Sequence, residues 1–474
     1  MPLILPGNVG SATAATGFNV ANSCRFDDGS SAYMHKTPGG AGNRQKFTFS
    51  CWVKKTSGGT EELLSVGGST YTRIGFEAGD EIKIFHVASG STAWEIQTVA
   101  KYRDPSAWYN FVFAFDTTQG TASNRIKLYV NGVRVEPSSG FGDETYPDQN
   151  YTTEVNNAVK HRVGIANNDS SAPFDGYMSE VVLIDNAQLD ATSFGEFDED
   201  SGIWKPIDVS GLTAGTNGFY LDFEDSANLG NDAFGGTDLT EVNLAATDQS
   251  TDTCTNNFAT MNSLDNFHQA TAFSEGNLKL VYTSGNRTWN TCNVALSSGK
   301  WYCEILKGET NNDKIGIHYK LSAGLTDRAD SDGGAWSYLG GKNADNGGVK
   351  TNGGTITYTI GGSDSGDIVG LYLDLDNNKV YFGVNGTVAH SGVGIDIPAV
   401  STLENGQYYI FGGSSSASET MTHTWNFGSP AVALSSGVTD ANGFGNFEYT
   451  PSGTFDSASK DFLAICTKNL AGDS

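Results

Sequence analysis

The chain has 474 residues, a formal net charge of −26, only 17% charged residues, 59 glycines and 11% aromatics. That acidic balance argues against nucleic acid or anionic lipid as the main partner, because both need basic patches; it fits a solubilising surface, with divalent-cation sites as the narrower reading. Glycine for tight turns and aromatics for strands point to an all-β protein, long enough for two to four domains. No run of about 18 apolar residues is present, so no membrane insertion is expected. The start, MPLILPGNVG, lacks the basic residues and apolar length of a signal peptide, so export by the general secretory route is not expected.

In chain order, KFTFSCWVKK (46–55) alternates, with Phe47, Phe49, Cys51 and Val53 on one side and Thr48, Ser50 and Trp52 on the other. TRIGFEAG and EIKIFHV are the next two predicted strands, joined by a turn at Gly79-Asp80. WYNFVFAF (108–115) is apolar on both faces and belongs in the middle of a sandwich. It opens a hairpin over 108–135, in which a strand ending in Asp is followed by IKLYV, Asn131-Gly132 and VRV. Asn-Gly between alternating strands favours a primed turn, because both residues tolerate positive φ. HRVGIANN (161–168) and FDGYMSEVVLIDNAQL (174–189) read as further strands, and 190–197 as a helical turn or two with Asp190 as N-cap.

Residues 201–262 read as a loop-rich joint with one strand, GFYLDFED (218–225), expected to wrap over the first sandwich. A second domain is predicted over 263–430, with strands in NLKLVY, KWYCEIL, KIGIHY and QYYIFGG and a closing HTWNFGSP. It repeats the hairpin over 366–390, as IVGLYLDLD, KVYFGV, Asn385-Gly386 and TVAH. The last segment, 431–474, holds NGFGNFEY and one apolar run, FLAICTKNL, too short to fold alone and therefore expected to dock on a neighbouring domain or subunit.

The six cysteines, Cys24, Cys51, Cys254, Cys292, Cys303 and Cys466, form no CxxC and have no His at metal-ligand spacing. Hairpin counting across Ser298-Gly299 sets Cys292 opposite Ile305, off register for a bridge. Buried free thiols in a chain assembled in a reducing cytoplasm are the expectation.

Through FTFSCWVK, WYNFVFAFD, IKLYVNGVRV and FDGYMSEVVLIDNAQL, residues 1–200 resemble the concanavalin A-like, laminin G-like jelly rolls. The resemblance implies a framework that defines fold and not ligand. KWYCEIL, KIGIHY, AWSYLGG (335–341), the run from Gly366 to Gly386 and WNFG (425–428) resemble a SPRY domain. That resemblance implies a second antiparallel sandwich, of a kind used mostly for protein interaction through loops at one edge. NGFYLDFEDSANLGND, TNNFATMNSLDN and NGFGNFEY with FLAICTKNL resemble phrases of bacteriophage structural proteins, marine ones especially, which join such units in tail fibres and other virion appendages.

Catalytic signatures are weak. Glycoside hydrolases share the jelly-roll scaffold, but Glu196-Phe197-Asp198-Glu199-Asp200 lacks a third acid at the needed offset, and Glu180 and Asp185, five apart, count to opposite faces of a strand. Asp374, Asp376 and Asn378 mimic the opening of a calcium loop, yet the required Gly is replaced by Lys379 and the closing Glu is missing. No HExxH, nucleophile elbow or phosphate loop occurs. No cofactor is implied except calcium, which laminin G-like domains sometimes hold at a rim. Asp116 is the candidate ligand, joined by Asp169 and Asp175 only if the fold brings their loops together. Trp336 and Tyr338 are the candidate ligand-binding aromatics, because they combine stacking surface with a polar handle; packing in the sandwich core is the competing reading.

The sequence therefore predicts an all-β chain of two antiparallel sandwiches, a loop-rich joint and a C-terminal docking tail. The bacteriophage resemblance implies a non-enzymatic virion protein, a tail fibre or other appendage, assembled in the host cytoplasm. Its implied partners are other virion proteins, further copies of itself in a homotrimer or larger ring, and a host surface glycan or receptor; nucleic acid is not among them. A cement or decoration protein without a host ligand is the first alternative, and a glycan depolymerase the second.

Overall fold

A computed structural model describes residues 17–265, 271–282, 288–309, 313–321, 334–340, 347–352, 354, 356–359, 361–414 and 420–472. The chain is all-β, with a single short α-helix, Thr467–Gly472, among the described residues. It divides into two compact units, one spanning Ala15–Thr255 and the other built mainly from Asn256–Ser474.

The first unit is a sandwich of two antiparallel sheets. One runs in the order Val133–Arg134, Ile126–Val130, Trp108–Asp116, Lys46–Lys55, Gly176–Asp185, Ser23–Phe26 and Gln249–Ser250. The other runs Phe141–Thr145, Ser91–Lys101, Glu81–Ala88, Tyr71–Phe76, Glu61–Gly67, His161–Val163, Tyr33–Lys36 and Thr240–Val242. Phe47, Phe49, Cys51 and Val53 enter the core between the sheets, beside Phe111, Phe113 and Phe115. Trp52 and Val112 point the other way, into a second apolar layer closed by Phe194, Trp204, Val209 and Tyr220. Two-sided burial is why the 108–116 strand is apolar on both faces.

Residues beyond 200 complete this sandwich. Phe219–Leu221 pairs with Gly176–Asp185, Thr240–Val242 with Tyr33–Lys36, and Gln249–Ser250 with Ser23–Phe26. Several predicted strands are shorter than their apolar runs. The 161–168 run ends as a strand at Val163, where Gly164 turns to φ 91, and the 218–225 run pairs only over Phe219–Leu221. Asp190 caps the 3-10 turn Ala191–Ser193, accepting from Thr192 N at 3.0 Å.

The second unit is also a two-sheet antiparallel sandwich. Its larger sheet runs Thr271–Ser274, Lys279–Tyr282, Met421–Asn426, Lys300–Lys307, Ile368–Asp374, Lys379–Val384 and Thr387–Val388. The facing sheet runs Trp289–Thr291, Tyr409–Ser414, Asp313–His318, Ala335–Leu339, Gly348–Thr351 and Ile356–Thr359. Trp301, Cys303 and Ile305 face the core, while Tyr302 and Tyr372 face outward under Phe447, Phe455 and Phe462 of the tail. Leu463–Ala464 adds a parallel strand to Lys300–Lys307, so the tail docks on its own unit.

Cys292 does not face Ile305. Trp289–Thr291 pairs with Tyr409–Ser414 in one sheet, and Ile305 pairs with Val369 and Trp425 in the other. The Ser298-Gly299 turn therefore joins two layers instead of closing a hairpin, and hairpin counting does not apply there. All six cysteines are free thiols, five of them buried.

Both Asn-Gly turns have the primed geometry, with φ of 46 and 78 at Asn131 and Gly132, and 49 and 75 at Asn385 and Gly386. Each Asn also closes its own hairpin. Asn131 Oδ1 accepts from Asn110 N at 2.7 Å, and Asn385 Oδ1 from Ile368 N at 2.9 Å.

Candidate functional site

A polar groove of about 430 Å³ lies at one edge of the first sandwich. Its floor is the end of the Tyr33–Lys36 strand. Its walls are the 214–218 and 232–240 loops, which reach it because Phe219–Leu221 and Thr240–Val242 pair with strands on either side. That volume falls within the range of small-molecule sites.

Asp232 and Lys36 are its charged centre. Asp232 is buried, and its Oδ1 accepts from Tyr220 N at 3.0 Å and Phe234 N at 3.2 Å. Its Oδ2 makes no hydrogen bond and stands 3.6 Å from Lys36 Nζ. Lys36 Nζ also donates to Thr237 O at 3.2 Å and lies over the Phe219 ring. Burial lowers the lysine pKa, and Asp232 opposes that shift. The wall beside Asp232 is Gly235-Gly236; Gly235 has φ 78, and a Cβ on Gly236 would collide with Asp232 Oδ2. Phe234 offers a ring face in the lining, packed on Tyr220 at 5.3 Å. An ammonium held by a buried carboxylate, loop backbone and one aromatic form a constellation suited to a hydroxylated ligand.

A shallower groove shares Thr216 with the first and is lined by residues 41–45, Thr152, Asp185 and Asn186. Asp185 there accepts from Asn43 N at 2.8 Å, Asn217 N at 3.1 Å and Asn156 Nδ2 at 3.0 Å. Glu180 sits in a bulge with φ 50, so the strand alternation counted from the sequence is interrupted between it and Asp185. Its Oε2 accepts from Tyr220 Oη at 2.7 Å, and burial raises its pKa to about 8. The two acids are held by separate sets of partners.

The candidate residues named from sequence occupy other places. Trp336 is 4% exposed and Tyr338 fully buried, both in the core of the second sandwich. Trp336 meets the Tyr408 ring edge-on at 6.2 Å, and Tyr338 Oη donates to Gly361 O at 3.0 Å. Asp116 is engaged by its own turn, accepting from Thr118 N at 3.0 Å and Gln119 Nε2 at 3.0 Å, with Lys46 Nζ at 3.3 Å. These partners lower its pKa against the effect of burial. Asp169 pairs with Lys160 and Arg162. Asp374 accepts from Asn377 N at 3.0 Å and Lys460 Nζ at 2.9 Å, and Asp376 from Gly299 N at 2.9 Å. Asp175 lies instead beside Asp27 and Asp28.

Residues 28–191 match the family model of the concanavalin A-like lectin/glucanases superfamily, of laminin G type. The first unit thus has a concanavalin A-like fold, and twelve of the seventeen residues lining its polar groove lie beyond the matched segment. Among solved structures, the chain is similar to the SPRY domain of human HERC1, with 17% identity, a TM-score of 0.29, and coverage of 35% of this chain and 96% of that one. It is also similar to the TRIM65 PSpry domain, with 14% identity, a TM-score of 0.28, and coverage of 35% of this chain and 91% of that one. A third is the native heptameric SAP-like pentraxin from Limulus polyphemus, with 11% identity, a TM-score of 0.28, and coverage of 36% of this chain and 80% of that one. No curated protein matches the chain.

Proposed function

We propose that this protein recognises a host surface glycan non-enzymatically, through the Lys36–Asp232 groove of its first sandwich, as an appendage protein of a bacteriophage particle. The observation that carries the reading is the Lys36–Asp232 pair set in a polar groove. Asp232, fixed through one oxygen by two backbone amides, holds Lys36 Nζ at 3.6 Å beside a lining of glycine and threonine. Hydroxyl groups of a sugar accept from such an ammonium and donate to loop carbonyls, and the half-buried Phe234 ring adds stacking. The lectin-like sandwich supports ligand binding, and the phage-like phrases of joint and tail support the virion setting. Weak single-site binding multiplied over copies in a symmetric fibre gives useful avidity.

Glycan arrays and host-cell adsorption with the purified protein test this. Wild type binds a restricted glycan set, and Asp232→Asn, which removes the counter-charge of Lys36, loses it under conditions where circular dichroism shows the variant folded. Silence on arrays and cells, together with loss of particle integrity on deletion of the gene, would establish a cement role instead. Release of reducing ends from host polysaccharide would establish a depolymerase.

A further inference from the structure

The two grooves of the first sandwich follow one another along the same pair of chain segments. Residues 35–39 line the first groove and residues 41–45 the second, while the 214–218 loop walls the first and gives Thr216 to both. The loop is tied down where it crosses. Asp185 N donates to Ala214 O at 2.7 Å, and Asn217 Nδ2 donates to Gly40 O at 3.0 Å and Asn156 O at 2.9 Å. Between the grooves the other segment reads Gly39-Gly40-Ala41, all three exposed. A Cβ on Gly39 or Gly40 would meet nothing within 4 Å, so the backbone there is an open saddle and not a packed wall. Gly42 differs: a Cβ there would collide with Asp185 Oδ2, and its absence lets that carboxylate hold Asn43 N at 2.8 Å and Asn217 N at 3.1 Å. Saddle and crossing loop are therefore fixed to each other through Asp185.

The first groove measures about 430 Å³ and the second about 700 Å³. Joined, they exceed the roughly 300–1,000 Å³ of a site for one small molecule. Their chemistry differs. The first holds the Lys36–Asp232 pair and the Phe234 ring, whereas the second is lined by the amides and hydroxyls of Asn43, Gln45, Thr152, Asn186 and Thr216. Its charged residues are engaged, Arg44 by Glu154 at 2.8 Å and Asp185 by backbone amides. Asn186 is exposed and accepts from Asn43 Nδ2 at 2.6 Å through its oxygen, which leaves its own amide to donate.

Resting on glycan recognition at the Lys36–Asp232 groove, we propose that the ligand is a chain of several sugar units seated across both grooves. One unit lies against Lys36 and Phe234, the chain crosses the Gly39–Ala41 saddle beside Thr216, and uncharged units follow along Asn43 and Asn186. Amides and hydroxyls exchange hydrogen bonds with sugar hydroxyls, each contributing little alone, so affinity accumulates with length. The crossing depends on the 214–218 loop, which lies beyond the matched 28–191 segment.

The test uses surface polysaccharide, capsular and O-chain, from a bacterial strain to which the purified full-length protein binds, cut by mild acid and separated by size. Calorimetry on wild type shows longer fragments bound about tenfold or more tighter than the shortest, as two or three added hydrogen bonds give, up to a plateau. Gly40→Trp sets an indole on the saddle, where space is open, and brings the long fragments down to the affinity of the shortest while melting like wild type. Thr152→Trp, at an exposed position in the second groove, does the same by filling it, so the site remains testable if Gly40→Trp does not fold. Equal affinity of wild type for short and long fragments overturns the inference and leaves glycan recognition at the first groove standing. A gain with length that both variants keep overturns it as well. Binding to no polysaccharide from any strain overturns both.

Discussion

Trp204 lies directly on Gly132. Its indole occupies the space a Cβ on that glycine would need, and its Nε1 donates to Asn110 Oδ1 at 3.0 Å, one step from the hairpin's closing bond. Tyr449 stands in the same relation to Gly386 in the second unit. In each case a segment C-terminal to the hairpin returns to cap its Asn-Gly turn. Both turns are framework.

Gly132→Ala and Gly386→Ala should therefore each destabilise their own unit by about 2–4 kcal/mol, through an αL penalty plus overpacking against the aromatic. Urea unfolding of the full chain reads this. Gly90, also at positive φ but with open space around it, is the control, and alanine there should cost about 1 kcal/mol.

Glu304 holds the tail. Its carboxylate accepts from Tyr449 N at 2.7 Å, Glu448 N at 2.9 Å, Tyr302 Oη at 3.0 Å and Asn426 Nδ2 at 3.2 Å. Glu304→Gln would turn an amide toward at least one backbone N–H, at a cost of about 1–3 kcal/mol. Limited proteolysis should then cut within 430–450 faster than in wild type, with the first unit unaffected.

Lys54 and Asp252 form an ion pair at 2.7 Å, with both side chains essentially inaccessible. Trp108 Nε1 also donates to Asp252 Oδ1 at 3.2 Å. Asp252→Ala strands a buried ammonium and should cost about 3–5 kcal/mol, with little dependence on salt, whereas the pair Lys54→Met with Asp252→Leu should recover much of it. Chemical denaturation at low and high sodium chloride checks both statements.

Glu180 gives a pH dependence of known sign. Its folded pKa is about 8 through burial, against about 4.3 in an unfolded chain, so folding takes up a proton between those values. The stabilisation is complete below about pH 4.3 and is lost as pH rises through about 8, by at most about 1.4 kcal/mol per pH unit. Glu180→Gln removes this component, so the variant gains on wild type as pH is raised from 5 to 8 in parallel urea titrations.

The hairpins, the 46–55 strand and the two-faced 108–116 strand were legible because alternation and Asn-Gly are local signals. Glu61–Gly67 and Ser91–Lys101 escaped because EELLSVG opens on two acids and STAWEIQTVAK on two hydroxyl residues, which dilute the period-two pattern. Three-residue strands such as Thr240–Val242 carry no pattern at all. The groove was illegible for another reason. Lys36 and Asp232 meet only because the joint returns across the sandwich, and the sole local hint was Gly-Gly between two aspartates.

The three short strands contributed by residues 219–250 have a practical consequence for dissecting the molecule. A fragment trimmed to 28–191 would present bare backbone along Tyr33–Lys36 and would uncover Val112, Val182 and Ile184 on the outer face of the other sheet. Unpaired edges and exposed apolar strand faces are templates for self-association. Such a fragment should precipitate or form aggregates on expression. A fragment cut after Thr255 keeps both edges paired and the outer face covered, and is the smallest piece in which the lectin-like sandwich can be studied by itself.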